Sequence, residues 1–132
     1  PDLIPDEGAK WLEIAEARGL DHVFLVAPSS SDDRVRANSS ASKGFVYSVS
    51  TMGITGERAT VDQLAREVVG KVKNLGTTPT CVGVGISTGA QVREVNSYAD
   101  GAIVGTAFVG AYQSGGLSAL VEKTRELASG LG

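Results

Sequence analysis

The sequence predicts a parallel α/β fold in a single domain that spans residues 1–132. Short apolar runs typical of buried strands alternate with longer segments whose apolar residues recur at helical spacing. This alternation predicts a parallel sheet with helices packed outside it. The length of 132 residues also suits one compact domain.

The first third of the chain is predicted to form a helix, a strand and a second helix. Residues 6–18 carry apolar side chains at helical spacing, and Gly19 is a typical helix-ending residue. Residues 23–27 form a continuous apolar run that suits a buried strand. Ser30 or Ser31 can cap the next helix, whose first turn contains two aspartates.

A second strand and a long helix are predicted next. The strand covers residues 45–49. The helix is predicted to open at Thr60, because Gln63 follows three residues later in a capping-box pattern. The apolar residues at helical spacing predict a buried stripe that consists of Val61, Leu64, Val68, Val72 and Leu75.

Two further strand–helix units complete the chain. Thr88 and Gln91 form another capping box, which places Val92 and Val95 on the inner face of the following helix. The remaining predicted elements are strands at residues 81–84 and 102–104, a short helix over 106–113 and a last helix over 117–129.

The composition excludes several classes of function. Charged residues make up 20% of the chain and the net charge is −3, without a cluster of Lys and Arg, so no nucleic-acid partner is expected. No apolar run approaches the roughly 20 residues that span a bilayer, so no membrane partner is expected. Cys81 is the single cysteine and cannot form an internal disulfide, which favours the cytoplasm.

Glycine-rich turns follow three of the predicted strands and indicate a phosphate site. One turn lies at residues 52–56, one contains Gly83 and Gly85, and one contains Gly105 and Thr106. Glycine lets a backbone amide approach a phosphate closely, and a helix start adds unpaired amides and partial positive charge. In (β/α)8 barrels a phosphate site lies in the loops after strands 7 and 8. The last two turns would surround one phosphate if their strands hold those positions.

Four stretches of the sequence resemble the tryptophan synthase α subunit family, and its actinobacterial members most of all. They lie at residues 24–30, 44–56, 82–87 and 101–107, and the motif Met-Gly-Ile-Thr-Gly at 52–56 is highly specific for that family. The resemblance extends over essentially the whole chain. It implies a (β/α)8 TIM barrel of which this chain is the C-terminal half, with the fourth helix and βα units 5 to 8.

The resemblance also implies an activity. The family cleaves indole-3-glycerol phosphate to indole and glyceraldehyde 3-phosphate in a retro-aldol reaction, a step of tryptophan biosynthesis. Its partners would be the N-terminal half of the barrel and a β subunit that receives the indole. The pyridoxal phosphate cofactor belongs to that β subunit, so no cofactor is expected in this chain. The glutamate and aspartate that act in the family belong to the N-terminal half, so no catalytic acid is expected here.

Specific phosphate contacts follow from the resemblance. Gly56, Gly85, Gly105 and Thr106 would contact the substrate phosphate, and Gly83 would shape the same turn. The family usually has serine where Thr106 stands, and the hydroxyl donor survives that change.

The resemblance implies supporting residues around the rest of the substrate. Tyr47 would line the pocket, and Thr55 would reach the catalytic aspartate when its loop closes. Leu25 and Ile103 would flank the indole ring. Val84 stands where the family often has a larger apolar residue, which alters the fit around that ring.

Taken alone, single residues also have simpler interpretations. Tyr47 has the spacing of a core tyrosine with a satisfied hydroxyl. His22 is predicted to be a strand-edge residue, because no second His or Cys lies at metal-ligand spacing, so no metal site is expected. Cys81 opens an apolar run and is predicted to be inert core.

Two other functions stay open. Residues 83–89 loosely resemble a dinucleotide-binding turn, but that fold needs an acid at the end of the following strand, and Asp100 precedes it. The other is a non-catalytic half-barrel that packs against itself. Half a barrel exposes two strand edges and an apolar inner face, which predicts that the segment oligomerises, aggregates or needs the first half.

Overall fold

The chain folds as one helix followed by four strand–helix units. In a computed structural model, the structure describes residues 3–49, 58–76, 78–83 and 85–132, with the side chains of residues 58–62 left aside. Within these ranges the elements are α1 (Ala9–Ala17), β1 (Leu25–Val26), α2 (Asp32–Ala41), β2 (Val46–Val49), α3 (Arg58–Leu75), β3 (Thr80–Gly83), α4 (Gly89–Asn96), β4 (Gly101–Ile103) and α5 (Thr106–Ala128).

The four strands form one parallel sheet in the order β1-β2-β3-β4. One row of paired residues crosses it through Leu25, Tyr47, Cys81 and Gly101. Each strand is added on the same side of the one before it, so right-handed connections place successive helices on one face. The predicted parallel α/β fold is therefore confirmed.

The two faces of the sheet differ in burial. On the helix-covered face, the buried apolar side chains form two clusters, one of Val26, Val35, Val46, Val68 and Val72 and the other of Val69, Val82, Ile86, Val92, Val95, Ala99 and Leu127. Strand residues at alternate positions point to the opposite face, where Leu25, Tyr47, Cys81 and Ile103 are only partly buried. In a closed barrel that face is the interior, and we call it the inner face.

Strand β1 is shorter than the strand predicted over residues 23–27. The amide of Phe24 donates to the hydroxyl of Ser42 at 3.1 Å and not to a neighbouring strand. Ser42 Oγ donates to the Asn38 carbonyl at 2.8 Å, and Asn38 Nδ2 donates to the Leu25 carbonyl at 2.7 Å. Side chains at the end of α2 thus bond the backbone at the start of β1 and at the residue just before it.

The ends of the first two helices follow local sequence signals. Helix α1 begins at Ala9, later than predicted, because a turn over residues 5–7 precedes it. Gly19 follows the helix with φ of +65°, the left-handed conformation that ends helices, as predicted. Of the two serines predicted to cap α2, Ser31 does so, and its hydroxyl accepts from the Arg34 amide at 3.3 Å.

Helix α3 contradicts two predictions. It begins at Arg58, so Thr60 lies inside the first turn and not at the cap; arginine and alanine favour helix and extend it upstream. Leu64 and Leu75, predicted to be buried, are 38% and 39% exposed, and the side chain of Val61 lies outside the described residues. Over residues 63–75, where side chains are described, the helix packs on the sheet through smaller side chains, and its buried stripe there consists of Ala65, Val68, Val69 and Val72.

The capping box of α4 is present as predicted. The Thr88 hydroxyl accepts from the Gln91 amide at 3.3 Å, and the Gln91 side chain accepts from the Thr88 amide at 3.1 Å. Val92 and Val95 are buried on the side of the helix that packs against the sheet, which is also as predicted.

Helix α5 has two segments, which agrees with the prediction of a short helix followed by a last one. It begins at Thr106, and the backbone of Gly115 and Gly116 is not helical. We call residues 106–114 the first segment and residues 117–128 the second segment. None of the helices within the described ranges combines the length and hydrophobicity that crossing a bilayer requires.

Candidate functional site

The turns after β3 and β4 lie side by side at one edge of the sheet. Gly83 at the end of β3 pairs with Ile103 at the end of β4. The turn with Gly85 follows β3, and Gly105 directly precedes Thr106, the first residue of α5. Because β3 and β4 are parallel neighbours, both turns leave the sheet at its carboxyl edge, where ligands bind in parallel α/β folds.

Gly83 lies beneath the ring of Tyr47. A Cβ atom at Gly83 would overlap the Tyr47 hydroxyl and would lie 3.0 Å from the Cβ of Ile103. Tyr47 on β2 therefore reaches across β3 towards β4 on the inner face. Leu25 pairs with Tyr47 from β1, on the other side of β2. The three residues predicted for the substrate pocket, Leu25, Tyr47 and Ile103, thus share one face of the sheet.

The surroundings of Tyr47 differ from those of a core tyrosine. Its side chain is only partly buried, and its hydroxyl has no hydrogen-bond partner among the described residues. A phenol inside a core normally finds such a partner. The hydroxyl of Tyr47 is therefore available to a ligand on the inner face or to a residue outside the described ranges.

The amides at the start of α4 are already bonded within the protein. Gln91 Oε1 accepts from the amides of Ser87 at 2.8 Å and Thr88 at 3.1 Å. The amide of Gly89 donates to Oε1 of Glu126 at 2.8 Å. An anion at this edge would therefore meet the turn that precedes α4 and not the N-terminus of α4.

The start of α5 is open by contrast. Gly105 is its N-cap residue, no side chain of the described residues caps it, and its first turn contains no acid. A Cβ at Gly105 would meet no atom of the described chain within 4 Å, and Thr106 is exposed. Unpaired amides and the positive end of the helix dipole make such a helix start suitable for an anion.

Two titratable groups, one on β3 and one just before β4, lie away from this edge. Burial, and then the charge of Asp100, raise the pKa of the Cys81 thiol, so it stays protonated at neutral pH and unreactive. Cys81 is only partly buried in this chain, because it lies on the inner face, where Gly101 leaves room beside its thiol. The hydrogen bond from the Thr80 amide, and then the hydrogen bond and charge of Lys73, lower the pKa of Asp100. Its carboxylate therefore has a structural role.

His22 does not lie in the sheet. It is buried before β1, where its ring meets those of Trp11 and Phe24 edge-on at centroid distances of 6.0 and 6.1 Å. The predicted strand-edge position is therefore wrong, because the ring packs against those of Trp11 and Phe24 before the strand begins. In the part of the chain that the structure describes, no three His, Cys, Asp or Glu side chains form a group that could hold a metal ion.

Three residues of the sequence prediction lie outside the described residues. They are Thr55, Gly56 and Val84. Sequence reasoning in turn missed Lys123 and Glu126, which contact the turn before α4 and its first amide. Neither residue belongs to a motif, so no local signal marks them.

Together these features define a class: parallel βα units of half a barrel, with two glycine turns adjacent at the carboxyl edge. The family model of the tryptophan synthase alpha chain matches residues 1–129. The chain belongs to the tryptophan synthase alpha chain family.

Curated relatives of known sequence agree with this assignment. The tryptophan synthase alpha chain of Leifsonia xyli is 57% identical over 130 residues, which are 98% of this chain and 50% of that protein. That of Mycobacterium intracellulare is 50% identical over 131 residues, or 99% of this chain and 48% of that protein. The chain thus spans about half the length of the curated relatives it matches.

Solved structures show the same relation in three dimensions. A tryptophan synthase from M. tuberculosis, in its aminoacrylate-bound form, superposes with a TM-score of 0.87 at 45% identity, over all of this chain and 49% of that chain. The alpha subunit from Campylobacter jejuni gives a TM-score of 0.87 at 27% identity, over 96% of this chain and 51% of that chain. The fold is therefore the C-terminal half of a (β/α)8 TIM barrel, as the resemblance implied.

Proposed function

We propose that this chain supplies the phosphate-binding half of the active site of a tryptophan synthase α subunit. In this proposal the complete barrel cleaves indole-3-glycerol phosphate to indole and glyceraldehyde 3-phosphate by a retro-aldol reaction. One structural observation supports the proposal in addition to membership of the family. The open start of α5 lies at the same edge as the glycine turn after β3, while the start of α4 is closed by side chains.

The phosphate contacts are proposed to come from backbone amides and one hydroxyl. Gly85, Gly105 and Thr106 would contact the phosphate, and Gly83 would let the β3 turn lie close beneath Tyr47. Gly56 would add a contact from the part of the chain outside the described residues. Gly85 has φ of +72°, a conformation that glycine adopts without strain, so a side chain at this turn would disturb its amides.

The indole side of the substrate is proposed to lie on the inner face. Leu25 and Ile103 would flank the ring, with Tyr47 between them in the sheet. Thr55, outside the described residues, would support the catalytic aspartate of the other half.

No acid of this chain is proposed to transfer protons. Four described carboxylates have pKa values below their ordinary range, and in each case hydrogen bonds or an ion pair are the cause. They are Glu16, Asp32, Asp100 and Glu126. A general base works best with a pKa near the operating pH, so carboxylates of lowered pKa are poorly suited to that task. We propose, from the resemblance to the family, that the catalytic glutamate and aspartate come from the N-terminal half of the barrel.

The proposed partners are that N-terminal half and a tryptophan synthase β subunit, which would hold the pyridoxal phosphate. One of the similar structures comes from work on the mutual activation of the tryptophan synthase α2β2 complex of Pyrococcus furiosus. Its similarity to this chain, 30% identity with a TM-score of 0.81, supports an assembly of this kind. The proposed compartment is the cytoplasm, on the argument from the single cysteine.

The dinucleotide-binding alternative finds no support in the topology. Dinucleotides bind at a crevice where the strand order reverses. Among the described strands the order is sequential from β1 to β4, without such a reversal.

The proposal is tested by Thr106→Val in a complete barrel that contains this chain. Loss of the hydroxyl donor should weaken substrate binding by about 1–3 kcal/mol, because a charged acceptor is left short of a partner. Ser114→Ala is a suitable control, since that hydroxyl lies on the same segment of α5 but donates to the Ala111 carbonyl at 3.0 Å. Steady-state kinetics would contradict the proposal if the Thr106 variant kept both KM and kcat.

A further inference from the structure

The second segment of α5 holds the turn that leads into α4. Glu126 Oε1 accepts from the Gly89 amide at 2.8 Å, and Glu126 Oε2 pairs with Lys123 Nζ at 2.9 Å. Lys123 Nζ also donates to the carbonyl of Ser87 at 3.3 Å. An acid and a base one turn apart on α5 thus bind a donor and an acceptor on either side of Thr88.

Further contacts between the start of α4 and the end of α5 support this arrangement. A Cβ at Gly89 would lie 2.5 Å from the Glu126 carbonyl oxygen, and a Cβ at Gly130 would overlap the Gly89 carbonyl. Arg93 Nη2 also donates to the Ser129 carbonyl at 2.7 Å. The end of α5 and the start of α4 therefore approach so closely that their relative position is fixed by backbone as well as by side chains.

The same helix reaches both turns of the proposed phosphate site. The first segment of α5 begins at Thr106, beside the turn after β4. After the break at Gly115 and Gly116, the second segment returns to the turn after β3, two residues from Gly85. The distance between the two turns therefore depends on how the second segment is held against Ser87 and Gly89.

We propose that Glu126 and Lys123 are positioning residues for this site: by holding the Gly89 amide and the Ser87 carbonyl, they keep the Gly85 turn oriented towards the start of α5. This inference rests on the proposed function, since it concerns the same phosphate site. Neither residue touches the phosphate in this scheme. Their removal should weaken phosphate binding without changing the chemical step.

The test is a titration with inorganic phosphate of the complete barrel that contains this chain. Glu126→Ala should weaken phosphate binding about three- to tenfold, the ratio expected for the loss of one hydrogen bond. Glu126→Gln keeps an acceptor for the Gly89 amide and should stay within about twofold of wild type, because it loses only an exposed ion pair. Lys123→Met should weaken binding about two- to fivefold through loss of the Ser87 contact.

Glu122→Ala is the matched control. Glu122 lies one turn before Glu126 on the same segment and makes no hydrogen bond or ion pair within the described part of the chain. This variant should bind phosphate like the wild type. In steady-state kinetics, Glu126→Ala should raise KM for the phosphorylated substrate and leave kcat unchanged.

The outcomes separate this inference from the function on which it rests. If the wild-type barrel does not bind phosphate at all, the proposed function fails and the inference fails with it. If the wild type binds phosphate and Glu126→Ala binds equally well, only the inference is overturned. If Glu126→Ala does not fold, Lys123→Met decides, and wild-type affinity in that variant overturns the inference. A fall in kcat as large as the rise in KM also overturns it.

Discussion

The hydroxyl of Tyr47 occupies the space in which a side chain at Gly83 would begin. Both residues point to the inner face, and Ile103 closes the other side of the same space. The absence of a Cβ at Gly83 is therefore what allows a tyrosine ring to cross β3. The glycine of this turn therefore serves the placement of an aromatic ring, besides the ligand-binding role proposed for it above.

Gly83→Ala is expected to destabilise the protein by about 1–3 kcal/mol, the usual cost of overpacking a tight site. Replacing the ring by a shorter side chain in Tyr47→Leu should remove much of that cost, because the new methyl group then has room. The measurement is urea unfolding of the two single variants and the double variant. Strictly additive changes in the free energy of unfolding would show that the two side chains do not compete for this space.

A second expectation concerns the close approach of α4 and α5. Gly89→Ala should lower the free energy of unfolding by at least about 2 kcal/mol, because its Cβ would press on the Glu126 carbonyl and the Ser129 hydroxyl. Gly70→Ala is the control: Gly70 lies within α3, and a Cβ there would meet no described atom within 4 Å. That change should raise stability by about 0.5–1 kcal/mol, since alanine favours helix. Equal effects of the two changes would argue against the close contact.

The order of elements could be predicted from the sequence because its signals are local. The capping box of Thr88 and Gln91 spans four residues, and the break in α5 lies at the adjacent pair Gly115 and Gly116. The buried face of α3 could not be predicted in the same way. Leu64 is more hydrophobic than Ala65, yet Ala65 is the buried residue, because the space between this helix and the sheet favours small side chains.

The residues of the candidate site also fall into two groups, those that local sequence signals predict and those that they do not. The positions of Gly83, Gly85 and Gly105 at the ends of strands could be predicted from the sequence, because strand ends and the following glycines are read from adjacent residues. Glu126 could not be found, since it bonds an amide 37 residues away and no motif relates the two positions. Residues that touch a turn from a distant helix become visible only when the chain is folded.

A third expectation concerns a buried pair of hydroxyl groups between two strands. The side chains of Ser48 on β2 and Thr80 on β3 are hydrogen-bonded at 2.8 Å, and each residue is no more than 1% exposed. Ser48→Ala should cost about 1–3 kcal/mol, because it leaves the Thr80 hydroxyl buried without a partner. Thr80→Val should have a similar effect for the same reason.

The double variant tests whether the two hydroxyls act as a pair. Changing both removes both polar groups at once, so the combined loss should be smaller than the sum of the single losses by about 0.5–3 kcal/mol. Thermal or urea unfolding of the four proteins gives this coupling. A coupling of zero would mean that the hydrogen bond contributes nothing to stability.

The last expectation separates ligand binding from stability at the start of α5. Gly105→Ala places a methyl group in open space beside the helix start, at a residue whose φ of −124° lies outside the left-handed region. The free energy of unfolding should fall by less than about 1 kcal/mol, the effect of a poorer N-cap residue. Phosphate affinity of the complete barrel should nevertheless fall, because the methyl group stands where the anion must approach the amides. Gly85→Ala should lower both quantities, since Gly85 has φ of +72° and alanine is strained there. If Gly105→Ala left phosphate affinity intact, the open start of α5 would not be the place where the phosphate binds.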